Sequence, residues 1–295
     1  MTDLFGVPLP ALMSQLVLGL VNGSFYALLS LGLAVIFGML NIINFSHGVL
    51  YMMGALFTWM ALEYLGIGYW WSLLLAPLCV ALIGIVIERL LLQWLYQLDH
   101  LYGLLLTFGL ALIIEGFFRY LYGVAGQPYS IPDELAGALN LGFMFLPKYR
   151  AWVIGASIAV CLFTWFMIEK TRLGGYLRAA TENPRLTQAF GINVPIIVML
   201  TYGFGVGLAG LAGVLAAPAT QIGPLMGSNM IIVVFAVVVI GGMGSILGSV
   251  VTGLGLGLVE GLAKVAYPEA SATVVFLVMA IVLMFRPAGI FGREK

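Results

Sequence analysis

Glu169-Lys-Thr-Arg-Leu-Gly-Gly-Tyr-Leu-Arg-Ala-Ala-Thr-Glu-Asn-Pro-Arg-Leu-Thr-Gln-Ala-Phe-Gly-Ile-Asn193 is a polar island in a greasy chain. It carries Lys170, Arg172, Arg178 and Arg185, four of the 12 basic residues. Long apolar runs flank it on both sides, and a bilayer span needs about 20 such residues. The island is therefore a loop joining two spans. Working outward, the 295 residues are 62% hydrophobic and 8% charged, against roughly 25% charged in a soluble domain. No soluble core hides that much apolar surface, so the chain is an integral membrane protein.

The runs are long and unbroken, whereas barrel strands alternate over segments of about ten residues. Helices are then the remaining way to satisfy the backbone in lipid. The 38 glycines suit helices that pack backbone to backbone. The reading is an all-α polytopic protein with a single transmembrane domain over residues 1–295. About nine spans of the required length fall near 12–39, 45–65, 71–95, 101–122, 151–168, 195–217, 229–244, 248–266 and 271–286. The seventh is short and ends in Gly241-Gly-Met-Gly-Ser245, which predicts a broken or half-crossing helix.

Nine crossings put Arg89, Lys170, Arg172, Arg178, Arg185, Arg286, Arg293 and Lys295 on one face. Arg119, Lys148, Arg150 and Lys264 fall on the other. Positive charge favours the cytoplasmic side. This places the loop at about 169–194 and the C-terminus in the cytoplasm. The N-terminus and the loop at about 123–150 lie outside. That outer loop is either an ordered cap or a solvated connector.

Several chemistries are absent. A net charge of zero argues against a nucleic-acid partner. Cys79 and Cys161 sit inside apolar runs and read as small hydrophobes. No metal-binding carboxylate cluster, nucleophile motif or nucleotide-binding glycine loop is present. The acid–base sets Glu115/Arg119, Glu260/Lys264 and Glu88-Arg89 lie near span ends and read as neutralised pairs. The reading therefore assigns no catalytic residue, metal or cofactor to this chain. Any ATP and Mg would be used by a partner.

Three residue sets remain as candidates. Asn22, Asn41, Asn44, Ser46, His47, Thr107 and Gln221 are polar side chains at or near membrane depth and form a candidate solute path. Asn44-Phe-Ser-His-Gly48 predicts a helix break near the cytoplasmic side of the second span, with His47 as a hydrogen-bonded structural residue. This break weakly echoes the one at Gly241–Ser245, and paired breaks point to a transport pathway. The stripes Gly203/Gly207 and Gly253/Gly257/Gly261 predict close helix packing. In the polar island, Asn183-Pro184 reads as an N-cap and first-turn proline. Gly191 ends that helix, and Leu186 and Phe190 share one apolar face. A helix so short must dock on something: its own membrane domain, the lipid surface or a partner's groove.

Stretches along nearly the whole chain resemble the bacterial branched-chain amino acid ABC transporter permeases of the LivH type. They are Gly23-Ser-Phe-Tyr-Ala-Leu-Leu-Ser-Leu-Gly-Leu33, Ile42-Ile-Asn-Phe-Ser-His-Gly48, Thr171-Arg-Leu-Gly-Gly-Tyr-Leu-Arg-Ala-Ala180 and Phe190-Gly-Ile-Asn193. Ile240-Gly-Gly-Met-Gly-Ser-Ile-Leu-Gly248 and Arg286-Pro-Ala-Gly-Ile-Phe-Gly292 complete the set. Where the family often carries an Arg-Pro-Leu-Arg-like run after Glu88-Arg89, this chain reads Gln93-Trp-Leu-Tyr-Gln-Leu-Asp99. The resemblance implies an importer subunit in the bacterial inner membrane. Its partners would be a second related permease, two cytoplasmic ATPases, a periplasmic solute-binding protein and membrane lipid. Arg178, Asn183, Pro184, Arg185, Leu186, Phe190 and Gly191 would then belong to the segment that couples to an ATPase. The rival reading is a self-sufficient secondary transporter or channel.

Overall fold

The computed structural model describes residues 3–4, 7–40, 42–96 and 98–292. The protein is all-α and polytopic. Its apolar helices are α1 (Leu9–Leu40), α2 (His47–Leu65), α3 (Tyr69–Leu90), α4 (His100–Tyr122), α5 (Lys148–Lys170), α8 (Val194–Ala216), α9 (Met226–Gly241), α10 (Ile246–Ala266) and α11 (Ser271–Phe285). Two polar helices, α6 (Arg172–Glu182) and α7 (Pro184–Ala189), lie between α5 and α8. Among the described residues, eight segments are long and apolar enough to cross a membrane. The shortest of them runs Pro268–Phe285, a 3-10 turn continued by α11, and the exception is α9. Its 16 residues reach about 24 Å at 1.5 Å per residue, short of the roughly 30 Å hydrocarbon core.

The core is α1, with α10, α8, α5 and α9 packed around it, while α2 packs on α8 and α9. Backbone proximity explains the glycines. A Cβ on Gly257 would overlap Gly19 O and the backbone of Gly23. One on Gly253 would lie 2.5 Å from Ala27 N, and one on Gly261 would lie 3.1 Å from Gly19 Cα. The stripe of α10 thus faces α1. Gly203 and Gly207 face α3 instead, where added Cβ atoms would meet Ile85 Cγ1 at 2.6 Å and Ala81 Cβ at 3.3 Å. Without a net hydrophobic drive between helices in lipid, such close contact is what dispersion needs.

The two ends of the bundle differ. At one end Gly38 of α1 abuts Gly244, after α9. There Ile290 N donates to Ile240 O at 2.8 Å and Phe291 N to Gly241 O at 3.2 Å, so the tail ties off the last carbonyls of α9. Arg89 lies there beside Asn193 and Pro195. At the other end Tyr149 hydroxyl donates to Leu215 O at 2.9 Å, and Trp152 Nε1 donates to Tyr69 hydroxyl at 3.2 Å. The loop between α4 and α5 is ordered: Ala138–Asn140 pairs antiparallel with Phe145–Pro147, and Gln127 bridges to Ile222.

Candidate functional site

Between α1 and α2 the chain leaves the helix over 42–46. α2 does not begin at the end of the bundle. Its first residue, His47, donates from Nε2 to Leu29 O at 3.0 Å, deep inside the span of α1. A carbonyl only accepts, so this contact places the ring proton on Nε2. The sequence reading put the break near the cytoplasmic side. The structure carries it inward, because α1 runs 32 residues and the extended chain then turns back beside it.

Irregular backbone at such depth needs internal partners. Asn44 Oδ1 accepts from Ser46 N at 3.1 Å and from Ser46 Oγ at 2.5 Å. Asn44 Nδ2 donates to Tyr202 hydroxyl at 3.1 Å. Thr107 Oγ1 accepts from Phe45 N at 3.2 Å, and its proton faces Ile43 O at 3.2 Å and Leu104 O at 3.0 Å. Asn44, Ser46, His47 and Thr107 are all buried. Four of the candidate path residues thus form one cluster that holds the break in place. The structure does not bring the others to it. Asn22 is half-buried on α1, and Gln221 is exposed near Gly126 in the connection between α8 and α9. Asn41 lies outside the described residues.

Sequence reasoning missed Tyr202, whose link to Asn44 spans 158 positions. It also missed Phe45, which stacks on Phe235 at 6.1 Å and meets Phe108 edge-on at 6.2 Å. Phe45 was legible only as part of the break. Its packing depends on α9 reaching the same depth, and it does: Gly227 of α9 abuts Gly48 of α2.

The acid–base sets are all partnered. Glu260 accepts from Lys264 Nζ at 2.6 Å and from Tyr26 hydroxyl at 2.7 Å. Glu115 faces Arg119 at 3.5 Å and also accepts from Ser228 hydroxyl. Glu88 accepts from Tyr96 hydroxyl at 2.6 Å, while Arg89 turns to Gln93 Oε1 at 3.1 Å. The chain's departure after Arg89 therefore supplies a partner for a buried carboxylate. Burial first, and then that carboxylate, raise the Tyr96 phenol above its usual pKa.

At the other functional candidate, the polar island holds two helices. The sequence reading found one. Gly174 and Gly175 hid α6, yet Gly174 permits close contact with Ile168 O at the end of α5. Arg178 adds a hydrogen bond to Ile168 O at 3.3 Å and an ion pair with Glu169 at 3.5 Å. Asn183 Oδ1 caps α7 by accepting from Leu186 N at 3.0 Å, and Pro184 fills its first turn. Thr187 turns inward and donates toward Ala179 O and Asn183 O, both at 2.9 Å. Gly191 ends the unit with φ +81°, a conformation that glycine adopts without penalty. Leu186 is 54% exposed and Phe190 77%. The pair thus forms an exposed apolar face on a unit tied to α6 through Thr187. Arg185 and Pro184 are exposed beside it.

A family model described as branched-chain amino acid transport system / permease component matches residues 15–284. The high-affinity branched-chain amino acid transport system permease protein BraD of Pseudomonas aeruginosa is 31% identical, covering 96% of each chain. The corresponding LivH protein of Escherichia coli K12 is 29% identical, again over 96% of each. The ribose import permease protein RbsC of the same strain is 31% identical over 43% of this chain and 41% of its own. Among solved structures, PsaBC from Streptococcus pneumoniae in complex with Fab matches with TM-score 0.41 and 16% identity, covering 93% of this chain and 88% of that one.

Proposed function

Because this chain belongs to the branched-chain amino acid transport permease family, we propose that it forms half of the membrane path of an ATP-driven importer for branched-chain or related amino acids. The observation that carries this reading is the end-to-end match to permease subunits. A second permease would complete the path. A periplasmic binding protein would deliver solute, and two cytoplasmic ATPases would consume ATP and Mg. This chain performs no covalent chemistry.

The orientation follows from charge. Arg89, Lys170, Arg172, Arg178, Arg185 and Arg286 share the end of the bundle that bears α6 and α7, and positive residues favour the cytoplasm. The N-terminus is then outside, in the inner membrane of a bacterium. The α6–α7 unit supports the coupling role. Its exposed Leu186 and Phe190 form a helix face of the kind that fits a partner's apolar groove. Its rigid seat on α5 would pass motion into the bundle.

Uptake of labelled leucine in cells with and without this gene tests the function. ATP-dependent uptake lost with the gene, and competed by valine and isoleucine, supports it. Unchanged uptake of all branched-chain amino acids would assign the chain to another solute.

A further inference from the structure

A groove of about 300 Å³ lies beside α1, between α5 and α10. Ser24 and Ala27 of α1 line it, with Leu162 and Trp165 of α5 and Leu247 and Val250 of α10. The surface it offers is hydrocarbon. Ser24 Oγ donates to Leu20 O at 2.8 Å, and Ser157 Oγ and Trp165 Nε1 are buried behind the lining. Leu162 is 59% exposed and Leu247 50%, so the chain itself leaves the groove open.

We propose that this groove holds one acyl chain of an anionic phospholipid from the cytoplasmic leaflet, with the phosphate on Lys170. The inference rests on the orientation given above, and its ligand is not the transported solute. Lys170 ends α5, and its Nζ lies over the Trp165 ring, 5.7 Å from the centroid. One side chain thus joins the apolar lining to the cation. Among the described residues no carboxylate lies within ion-pair distance of Lys170, and neighbouring Glu169 faces Arg178 instead. An ammonium offers three donors, which suit the oxygens of a phosphate.

Depth and width select the occupant. Trp165 lies five residues before Lys170 and Ser157 thirteen, or about 8 and 20 Å at 1.5 Å per residue. Half of the hydrocarbon core is about 15 Å, and the headgroup layer above it is about 5–8 Å thick. The groove therefore occupies the chain region of one leaflet, beneath a cation at headgroup level. A partner's helix is about 10 Å across and over the same 12 Å or so would displace about 900 Å³, far more than the space present. A polar solute finds no hydrogen-bond partner on these walls. Anionic lipid is the charge that the cytoplasmic leaflet supplies. The headgroup would sit at the joint where α5 passes into α6.

The test uses the complete transporter, purified in detergent and stripped of lipid. It is titrated with phosphatidylglycerol, or with phosphatidylcholine of the same acyl chains, and the first lipid bound is read by native mass spectrometry. Phosphatidylglycerol should bind about fivefold more tightly, equivalent to about 1 kcal/mol for one cation near an anionic surface. Lys170→Gln should abolish that preference and leave phosphatidylcholine unchanged. Val250→Trp, which fills the groove, should weaken both lipids. If Val250→Trp fails to insert, Lys170→Gln decides alone. Equal affinity for the two lipids in the unmodified transporter, or an intact preference in Lys170→Gln, would overturn the inference. So would an inserted Val250→Trp chain that binds both lipids normally; if it also loses the second permease, a protein fills the groove. Lipid binding is read without transport, so a failure of the importer reading is a separate and distinguishable result.

Discussion

Replacing Asn44 by alanine strips the break of its internal scaffold. Ser46 N and Ser46 Oγ lose their acceptor, and Tyr202 hydroxyl loses a donor. All of these groups are buried, so water does not replace what is lost. A buried polar group left unpaired costs about 1–3 kcal/mol, and polar contacts between membrane helices average about 0.6 kcal/mol. Two local losses at the lower bound plus one interhelical loss give about 2.6 kcal/mol for Asn44→Ala. Tyr202→Phe removes the contacts of its hydroxyl with Asn44 and Ser46 and should cost about 1 kcal/mol. Both are measured by reversible unfolding in mixed micelles, with hydrogen exchange at the amides of residues 45–47. Asn44→Ala should expose the Phe45 and Ser46 amides, and Tyr202→Phe should leave them protected. Equal costs for the two variants, or protected amides in Asn44→Ala, would show that packing rather than Asn44 holds the segment.

Gly257→Leu should push α10 off α1, because the added side chain meets the backbone of Gly19 and Gly23. Overpacking of this kind costs about 1–3 kcal/mol, read as a lower unfolding midpoint, and a normal midpoint would refute the contact. Glu260→Gln and Lys264→Gln made together should be better tolerated than Glu260→Gln alone, which leaves Lys264 unpaired. A double variant as unstable as that single one would refute this. Gly191→Val forces a β-branched residue to φ +81° and should weaken ATPase co-purification while membrane insertion stays intact. A normal yield of ATPase would refute the coupling role. Cysteine at Asp133 should react with an impermeant thiol reagent from outside, and cysteine at Glu182 only in opened membranes, both in a background without Cys79 and Cys161. The reverse pattern would invert the topology.

The sequence carried the spans well because each apolar run is bounded by polar or helix-stopping residues. Asn183-Pro184 and Gly191 likewise marked α7, since capping chemistry is local. What depended on distant contacts was not legible. The 42–46 break was visible as Asn-Phe-Ser-His-Gly, but its depth follows from the length of α1 and from Leu29 and Tyr202, far away in the chain. Glu88 was paired on paper with its neighbour Arg89, yet adjacent residues on a helix point apart. Tyr96, eight positions on, reaches it across a turn. The helix α6 escaped notice because two glycines lower helix propensity, while its stability comes from a seat on α5 that only the fold supplies.

The central claim is that this chain transports only as part of an ATP-driven complex. The most direct measurement is leucine uptake into proteoliposomes made from material purified through a tag on this chain. Permease partner, ATPases and binding protein should all be required, with uptake dependent on ATP and absent from the chain alone. Uptake by the purified chain alone, driven by an ion gradient and indifferent to ATP, would contradict it.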